Sequence, residues 1–195
     1  LNPNIDSRSH KYIKTGMFDS KFGIQIDHLD EILEKIKKLN HIDLKGYHFH
    51  LGSQIDDLGV FRKLCKVSNE INIYLKNKNF NITDINLGGG LGINYKEPDL
   101  NLIPDFNSYF QIFKKNLIYF DNQKIHFELG RSIVGQSGSL FSSILYLKKS
   151  FNKHFIIIDA GMTELIRPAL YNAQHHIENL SSNKKEIKYD VVGPL

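Results

Sequence analysis

Three segments of this chain share one layout: an apolar run of strand length that ends in a cluster of glycine, charge and hydroxyl. They are LKGYHFHLGSQ (44–54), NITDINLGGGLG (81–92) and KIHFELGRS (124–132). Successive clusters lie roughly forty residues apart, which accommodates one strand, one helix and two loops, the repeating unit of a β/α barrel. In such a fold, chemistry gathers at the C-terminal ends of the strands. The three clusters therefore read as three walls of one site.

Helical periodicity fills the intervals. From 27 to 39, Leu29, Ile32, Leu33, Ile36 and Leu39 keep helical spacing, with Asp27 placed to cap the start. A second helix is expected from about 60 to 75, with Phe61, Leu64, Ile71 and Leu75 on one stripe. A third follows Pro104, with Phe106, Phe110, Phe113 and Leu117 inward. The order βαβαβ with short connections argues for a parallel sheet, whose strands read as continuous apolar runs when both faces are buried.

After Arg131 the pattern changes. SLFSSILYLKK, HFIIIDAG, HHIENL and EIKYDVVG are β-like, one short helical piece intervenes around 165–171, and SSNKKE reads as a polar hairpin loop. The fold class expected is α/β. Residues 1–136 form the C-terminal part of a parallel, TIM-type β/α barrel, and residues 137–195 the start of a mostly β C-terminal domain.

Composition excludes several function classes. At 195 residues, 41% hydrophobic and 24% charged, the chain has ordinary globular make-up. Its net charge of +4 comes from dispersed lysines, without the dense basic block that a nucleic acid surface needs. No segment reaches the roughly 18 apolar residues of a membrane span, and the N-terminus lacks a signal pattern. The single cysteine, Cys65, excludes an intramolecular disulfide and suits a reducing cytoplasm; beside Leu64 it reads as core. The chain opens on LNPNID without a methionine and stops at YDVVGPL, where a strand-like run is just ending, so it reads as a piece of something longer.

The cluster contents suggest a ligand. Gly88, Gly89, Gly90 and Gly92 directly follow a strand, so their amides can approach an anion closely, and a phosphate is the natural guest. This is not the dinucleotide fingerprint, because Ile93 occupies the place of the third glycine, nor does Gly-Lys-Ser/Thr follow as in a nucleotide loop. The bland alternative is a tight turn. Ser53 adds a hydroxyl for the same phosphate, and His50 a flat ring for an aromatic cofactor. Strand alternation points His48 and His50 to the same side, and His48, farther from the strand end, reads as a structural barrel histidine. Glu128 and Arg131 share one strand end. A protonated ring nitrogen suits Glu128, which leaves Arg131 for a phosphate or a substrate carboxylate, the alternative being a structural ion pair. Arg167 and Tyr171, four residues apart on a short helix begun around Pro168, suit a substrate carboxylate; the alternative is a surface arginine beside a core tyrosine.

Taken together, HLGSQ, NLGGGLG, ELGRSIVGQ, DAGMTELIRPALY and DVVGP resemble the diaminopimelate decarboxylases, pyridoxal phosphate enzymes of the alanine-racemase-like, fold-type III class. The resemblance runs along essentially the whole chain. It implies a β/α barrel with a C-terminal β domain, a homodimer with a shared active site, and loss of CO2 from meso-2,6-diaminopimelate to give L-lysine. By similarity His50 stacks on the pyridine ring, Ser53, Gly88, Gly89 and Gly90 hold the phosphate, and Glu128 pairs with the ring nitrogen. Leu129, Gly130 and Arg131 continue the cofactor-binding segment, and Arg131, Arg167 and Tyr171 fall on substrate-binding positions. Leu129 stands where the family usually has proline, and Glu164 where it has aspartate. The family's Schiff-base lysine belongs upstream of Leu1, and its Cys-Glu pair just after Leu195. No catalytic residue is thus expected within these 195 residues, and the isolated chain should be inactive and poorly soluble or partly unfolded. Competing readings are a sister decarboxylase of arginine, ornithine or carboxynorspermidine, and a noncatalytic cofactor-binding remnant. Arg167 and Tyr171 argue against the diamine-forming sisters, whose substrates offer no distal carboxylate.

Overall fold

In the computed structural model, which describes residues 1–7, 21–185 and 187–194, each cluster-bearing run forms a short strand. β1 (Gly46–His48), β2 (Asp84–Asn86) and β3 (Lys124–His126) pair in parallel in that order. Tyr47, Ile85 and Ile125 share one register row, and His48, Asn86 and His126 the next. Because strand residues alternate between faces, the first row goes to the helix side and the second to the opposite side. Tyr47 and Ile85 are buried and Ile125 packs on the core. The Tyr47 hydroxyl bonds Ser68 on α2, and burial pushes its pKa up to about 12. The expectation of runs buried on both faces needs correction: the opposite face carries the half-buried Asp84 and Asn86 and the exposed His48 and His126, all polar.

Helices return the chain between strands. α1 (Leu29–Lys37) buries Leu29 and Leu33 but is not capped by Asp27, which lies inside a preceding 3-10 turn (Ile26–His28) and so misses the cap position. α2 (Gly59–Asn77) buries the expected Phe61, Leu64, Ile71 and Leu75, and also Cys65, whose thiol burial pushes up to about 12. α3 (Phe106–Asn116) starts at Asp105, whose side chain accepts from Ser108 N at 2.9 Å. Its inward face is Tyr109, Ile112 and Phe113; Phe110, expected inward, is 40% exposed. The Tyr109 ring packs edge-on at 4.9 Å from Phe61 and 5.0 Å from Phe113, while Phe110 covers Phe127 at the rim. Reciprocal amide bonds of 2.8 Å between Asn72 and Gln123 tie α2 to the turn before β3.

The chain divides into two units: residues 1–93 with 102–136, and residues 94–101 with 137–195. The first contains α4 (Arg131–Val134), which sequence periodicity did not indicate. In the second, β4 (Ile144–Lys149) pairs antiparallel with β5 (His154–Ile158), and β5 pairs parallel with β6 (Asp190–Val192); α5 spans Arg167–Tyr171. Two expectations are corrected here. HHIENL forms no strand, and 181–185 belongs to a long connection, since a parallel pair such as β5 and β6 is not closed by a hairpin. The last residue of that expected loop, Glu186, lies outside the described residues. Residues 94–101 go with the second unit, where His176 N donates to Tyr95 O at 3.0 Å. Among the described residues no helix is long and apolar enough to cross a membrane.

Candidate functional site

Past the last strand residues the backbone ladder continues: Phe49 N donates to Asn86 O at 2.9 Å, Leu87 N to His126 O at 3.0 Å and Glu128 N to Gly88 O at 2.7 Å. These bonds hold three strand ends at matched heights. Alternation carries the open face onward to His50, Gly88 and Glu128. The Glu128 carboxylate is held on both oxygens. Oε1 accepts from Asn86 Nδ2 at 2.8 Å; Oε2 lies 3.2 Å from His48 Nε2 and 4.0 Å from His50 Nδ1. Burial lowers the His50 pKa from its ordinary value, Glu128 pulling the other way and His48 adding to the decrease. Deeper on this face, Asp84 accepts from Thr83 Oγ1 at 2.7 Å and meets His126 Nε2 at 2.7 Å, which holds its carboxyl below the usual range.

The glycine turn is close-packed backbone. Gly88 has φ +69°, and a Cβ there would lie 2.3 Å from Phe49 O. A Cβ on Gly89 would lie 2.0 Å from Glu128 O. The second strand end therefore approaches the first at Gly88 and the third at Gly89 only because these positions lack side chains. Gly88 N donates to Asn86 Oδ1 at 2.9 Å. A parallel bridge between Ile55 and Leu91, with Ile55 N bonded to Gly90 O at 2.8 Å, brings the half-buried Ser53 beside the turn. Gln54 donates to Ile93 O at 2.6 Å and accepts from Arg131 Nη1 at 3.2 Å. Open space surrounds the Cα of Gly130, and Leu129 packs partly on the core.

The first unit thus brings His50, Ser53, Gly88, Gly89, Gly90, Glu128, Leu129, Gly130 and Arg131 to one end of its sheet. Sequence reasoning passed over three side chains that engage them: Asn86, Gln54 and His48, the last set aside as structural. The alternating Asp-Ile-Asn of β2 was the available signal, since a polar residue two before Gly88 must face the same way.

Arg167 and Tyr171 lie in the second unit. Arg167 sits with its guanidinium carbon 4.1 Å from the Tyr95 ring centroid, and its Nη1 lies 2.9 Å from His175 Nε2. A guanidinium only donates, so the His175 nitrogen accepts and its ring proton sits on Nδ1. Tyr171 ends the helix, half-buried, before Asn172 turns left-handed with φ 50°. Glu164 folds back onto Gly161 N at 2.7 Å. Two groups of metal-ligand type occur among the described residues, each with donor atoms within 4.8 Å of one another: His48, His50 and Glu128 in the first unit, and the exposed Asp99, His176 and Glu178 in the second.

Residues 1–135 match the family described as pyridoxal-dependent decarboxylase, pyridoxal binding domain. The chain belongs to this family. All 195 residues align with the diaminopimelate decarboxylase of Bacteroides thetaiotaomicron at 45% identity, covering 50% of that protein. The diaminopimelate decarboxylase of Aquifex aeolicus is 40% identical, with 46% of its length covered. The fold superposes with a TM-score of 0.86, at 35% identity, on the Helicobacter pylori diaminopimelate decarboxylase solved with L-lysine, over the whole of this chain and 48% of that one. The chain spans about half the length of the curated relatives it matches. The family's cofactor is pyridoxal phosphate, and the donor set fits it. The Glu128 carboxylate can accept from a protonated ring nitrogen, the glycine turn offers backbone without side chains, and His50 offers a flat ring in the same cluster.

Proposed function

We propose that the protein carrying this chain decarboxylates meso-2,6-diaminopimelate to L-lysine and CO2 with pyridoxal phosphate. The observation that supports this most is the convergence of His50, Glu128 and the Gly88, Gly89, Gly90 turn at one sheet end, in a chain related along its full length to diaminopimelate decarboxylases. The bound cofactor supplies an electron sink for the carbanion left when CO2 departs. The chain's own residues set the conditions. Glu128, anchored on both oxygens, keeps the ring nitrogen protonated by a charge-assisted bond. The His50 ring, whose pKa is lowered by burial, would offer its face to the pyridine ring. Ser53 and the amides of Gly89 and Gly90 would hold the phosphate, the Gly88 amide being bonded to Asn86 so that Gly88 shapes the turn, with Gly130 and Arg131 following Glu128 on the same segment and Leu129 anchoring that segment on the core.

Arg131, Arg167 and Tyr171 are assigned to substrate. Tyr95 and His175 hold the Arg167 guanidinium in one plane, which reduces the entropy lost when it forks onto a carboxylate. In the whole protein, residues 1–136 form part of a TIM-type barrel and 137–195 part of a β domain. The Schiff-base lysine and the Cys-Glu pair come from outside these residues, and two copies share each active site in the cytoplasm.

The test uses the whole protein loaded with pyridoxal phosphate. Lysine and CO2 should form in equal amounts from meso-diaminopimelate, and preference for ornithine, arginine or carboxynorspermidine would overturn the reading. Arg167→Ala should raise KM about tenfold, the worth of one charge-assisted contact, and leave the cofactor absorbance unchanged. Loss of that absorbance would reassign Arg167 to the cofactor.

A further inference from the structure

One side chain touches both halves of the proposed cofactor cradle. Asn86 Nδ2 donates to Glu128 Oε1 at 2.8 Å, and Asn86 Oδ1 accepts from Gly88 N at 2.9 Å. The amide can sit only one way round. A carboxylate oxygen accepts and a backbone N–H donates, so exchanging the amide's oxygen and nitrogen would break both bonds. Its backbone is fixed as well: Asn86 closes the central strand β2, its carbonyl accepts from Phe49 N at 2.9 Å, and its register partners are His48 and His126. From the other side, His48 Nε2 stands 3.2 Å from Glu128 Oε2.

We infer that Asn86 is a positioning residue that fixes the rotation of the Glu128 carboxylate and couples it rigidly to the Gly88 turn. The inference rests on the pyridoxal phosphate reading of this site. A planar amide keeps its donor and acceptor at constant separation, so the group facing the ring nitrogen and the turn facing the phosphate stay at one spacing. Without the Nδ2 donor, Oε1 loses the bond that sets the rotation of the carboxylate, and only the two histidines beside Oε2 remain.

Two variants of the whole protein separate positioning from mere folding. Asn86→Asp keeps the acceptor for Gly88 N but sets a carboxylate against Glu128. Its cofactor dissociation constant, measured by equilibrium dialysis, should rise at least about tenfold near pH 8. It should recover toward wild type near about pH 5, where the two carboxylates share a proton and a donor is restored. Asn86→Ala lacks both bonds and should bind about tenfold more weakly without that acid recovery. The melting temperature of the cofactor-free protein should be nearly the same for wild type and Asn86→Asp. Wild-type affinity in both variants across this pH range overturns the inference. So does a loss in Asn86→Asp that is independent of pH and matched by a lowered melting temperature. A wild-type protein that binds no pyridoxal phosphate overturns the parent reading, and this one with it.

Discussion

The two units use their sheets in opposite ways. In the first, β1 to β3 turn Tyr47, Ile85 and Ile125 onto α2 and α3, and Phe49, Ile55, Phe61 and Leu64 are fully buried with them. The other face is left polar and carries His48, Asn86 and Glu128. In the second unit every residue of β4 is exposed, Leu145, Tyr146 and Leu147 included, and β5 is only half-buried. A sheet whose one face is closed by helices can give its other face to chemistry. A sheet with apolar residues uncovered holds together in this chain mainly through its backbone ladder, because little apolar area leaves water.

The most forceful way to break this contrast is a pair of truncations. Phe61→Ala removes a fully buried ring that packs on Tyr109 and Phe113, and should cost about 3–5 kcal/mol. Tyr146→Ala, at a ring 69% exposed, should cost less than about 0.5 kcal/mol. Labelling of Cys65 by a thiol reagent reads the first unit directly, since the buried thiol, with its pKa pushed to about 12, reacts only on opening. Similar costs for the two variants would mean that β4 is covered in solution.

Hydrogen exchange on the 195-residue chain sharpens the same comparison with a somewhat smaller expected effect. Amides of α2 should exchange at least about a hundredfold more slowly than those of β4, because local opening follows the contacts that must be lost. Equal protection would show one cooperative body and contradict the expectation that the chain alone is partly unfolded.

This division also explains what could be read from the sequence. Strand ends marked by glycine clusters and helices marked by 3.6-residue spacing were legible because each is a local pattern. The first unit's β1, α2, β2, α3 and β3 followed from them. Which face of α3 turns inward was not, because Tyr109 and Phe110 are both large and aromatic, and only the position of Phe61 on another helix decides between them. The Asp27 cap failed for a different reason: a 3-10 turn moves the N-cap from Asp27 to His28 without changing the apolar period. In the second unit, β-like composition was visible in HHIENL, but strand pairing is a non-local choice and no strand forms there. At the site, chemistry-bearing residues beside glycines stood out. Asn86 and Gln54 did not, since the charged side chains they engage, Glu128 and Arg131, lie 42 and 77 residues away in sequence.

Gly89→Ala tests how the first unit joins its two faces. The added Cβ would lie 2.0 Å from Glu128 O, a backbone atom that cannot move without parting β2 from β3. Overpacking of this kind should cost about 1–3 kcal/mol and lower cofactor affinity together with stability. A matching substitution at Gly138, whose Cα faces open space in the second unit, should do neither.

The smallest effect is a slope. His50 binds its proton less readily when folded, chiefly because burial disfavours the imidazolium. Between its folded pKa and the ordinary histidine value of 6.5, the unfolded chain therefore holds more protons, and stability rises with pH. The contribution is complete above that ordinary value and is lost as pH falls toward the folded one. His50→Gln should flatten the dependence of Tm on pH in this window. Asp84 acts in another window: its carboxyl is held below the ordinary 3.8, so its contribution is present above that value and is lost only at more acid pH, and it should persist in the variant. An unchanged slope just below pH 6.5 in His50→Gln would mean that the His50 ring is hydrated in solution, and the polar face of the first unit would then be as open as the apolar face of the second.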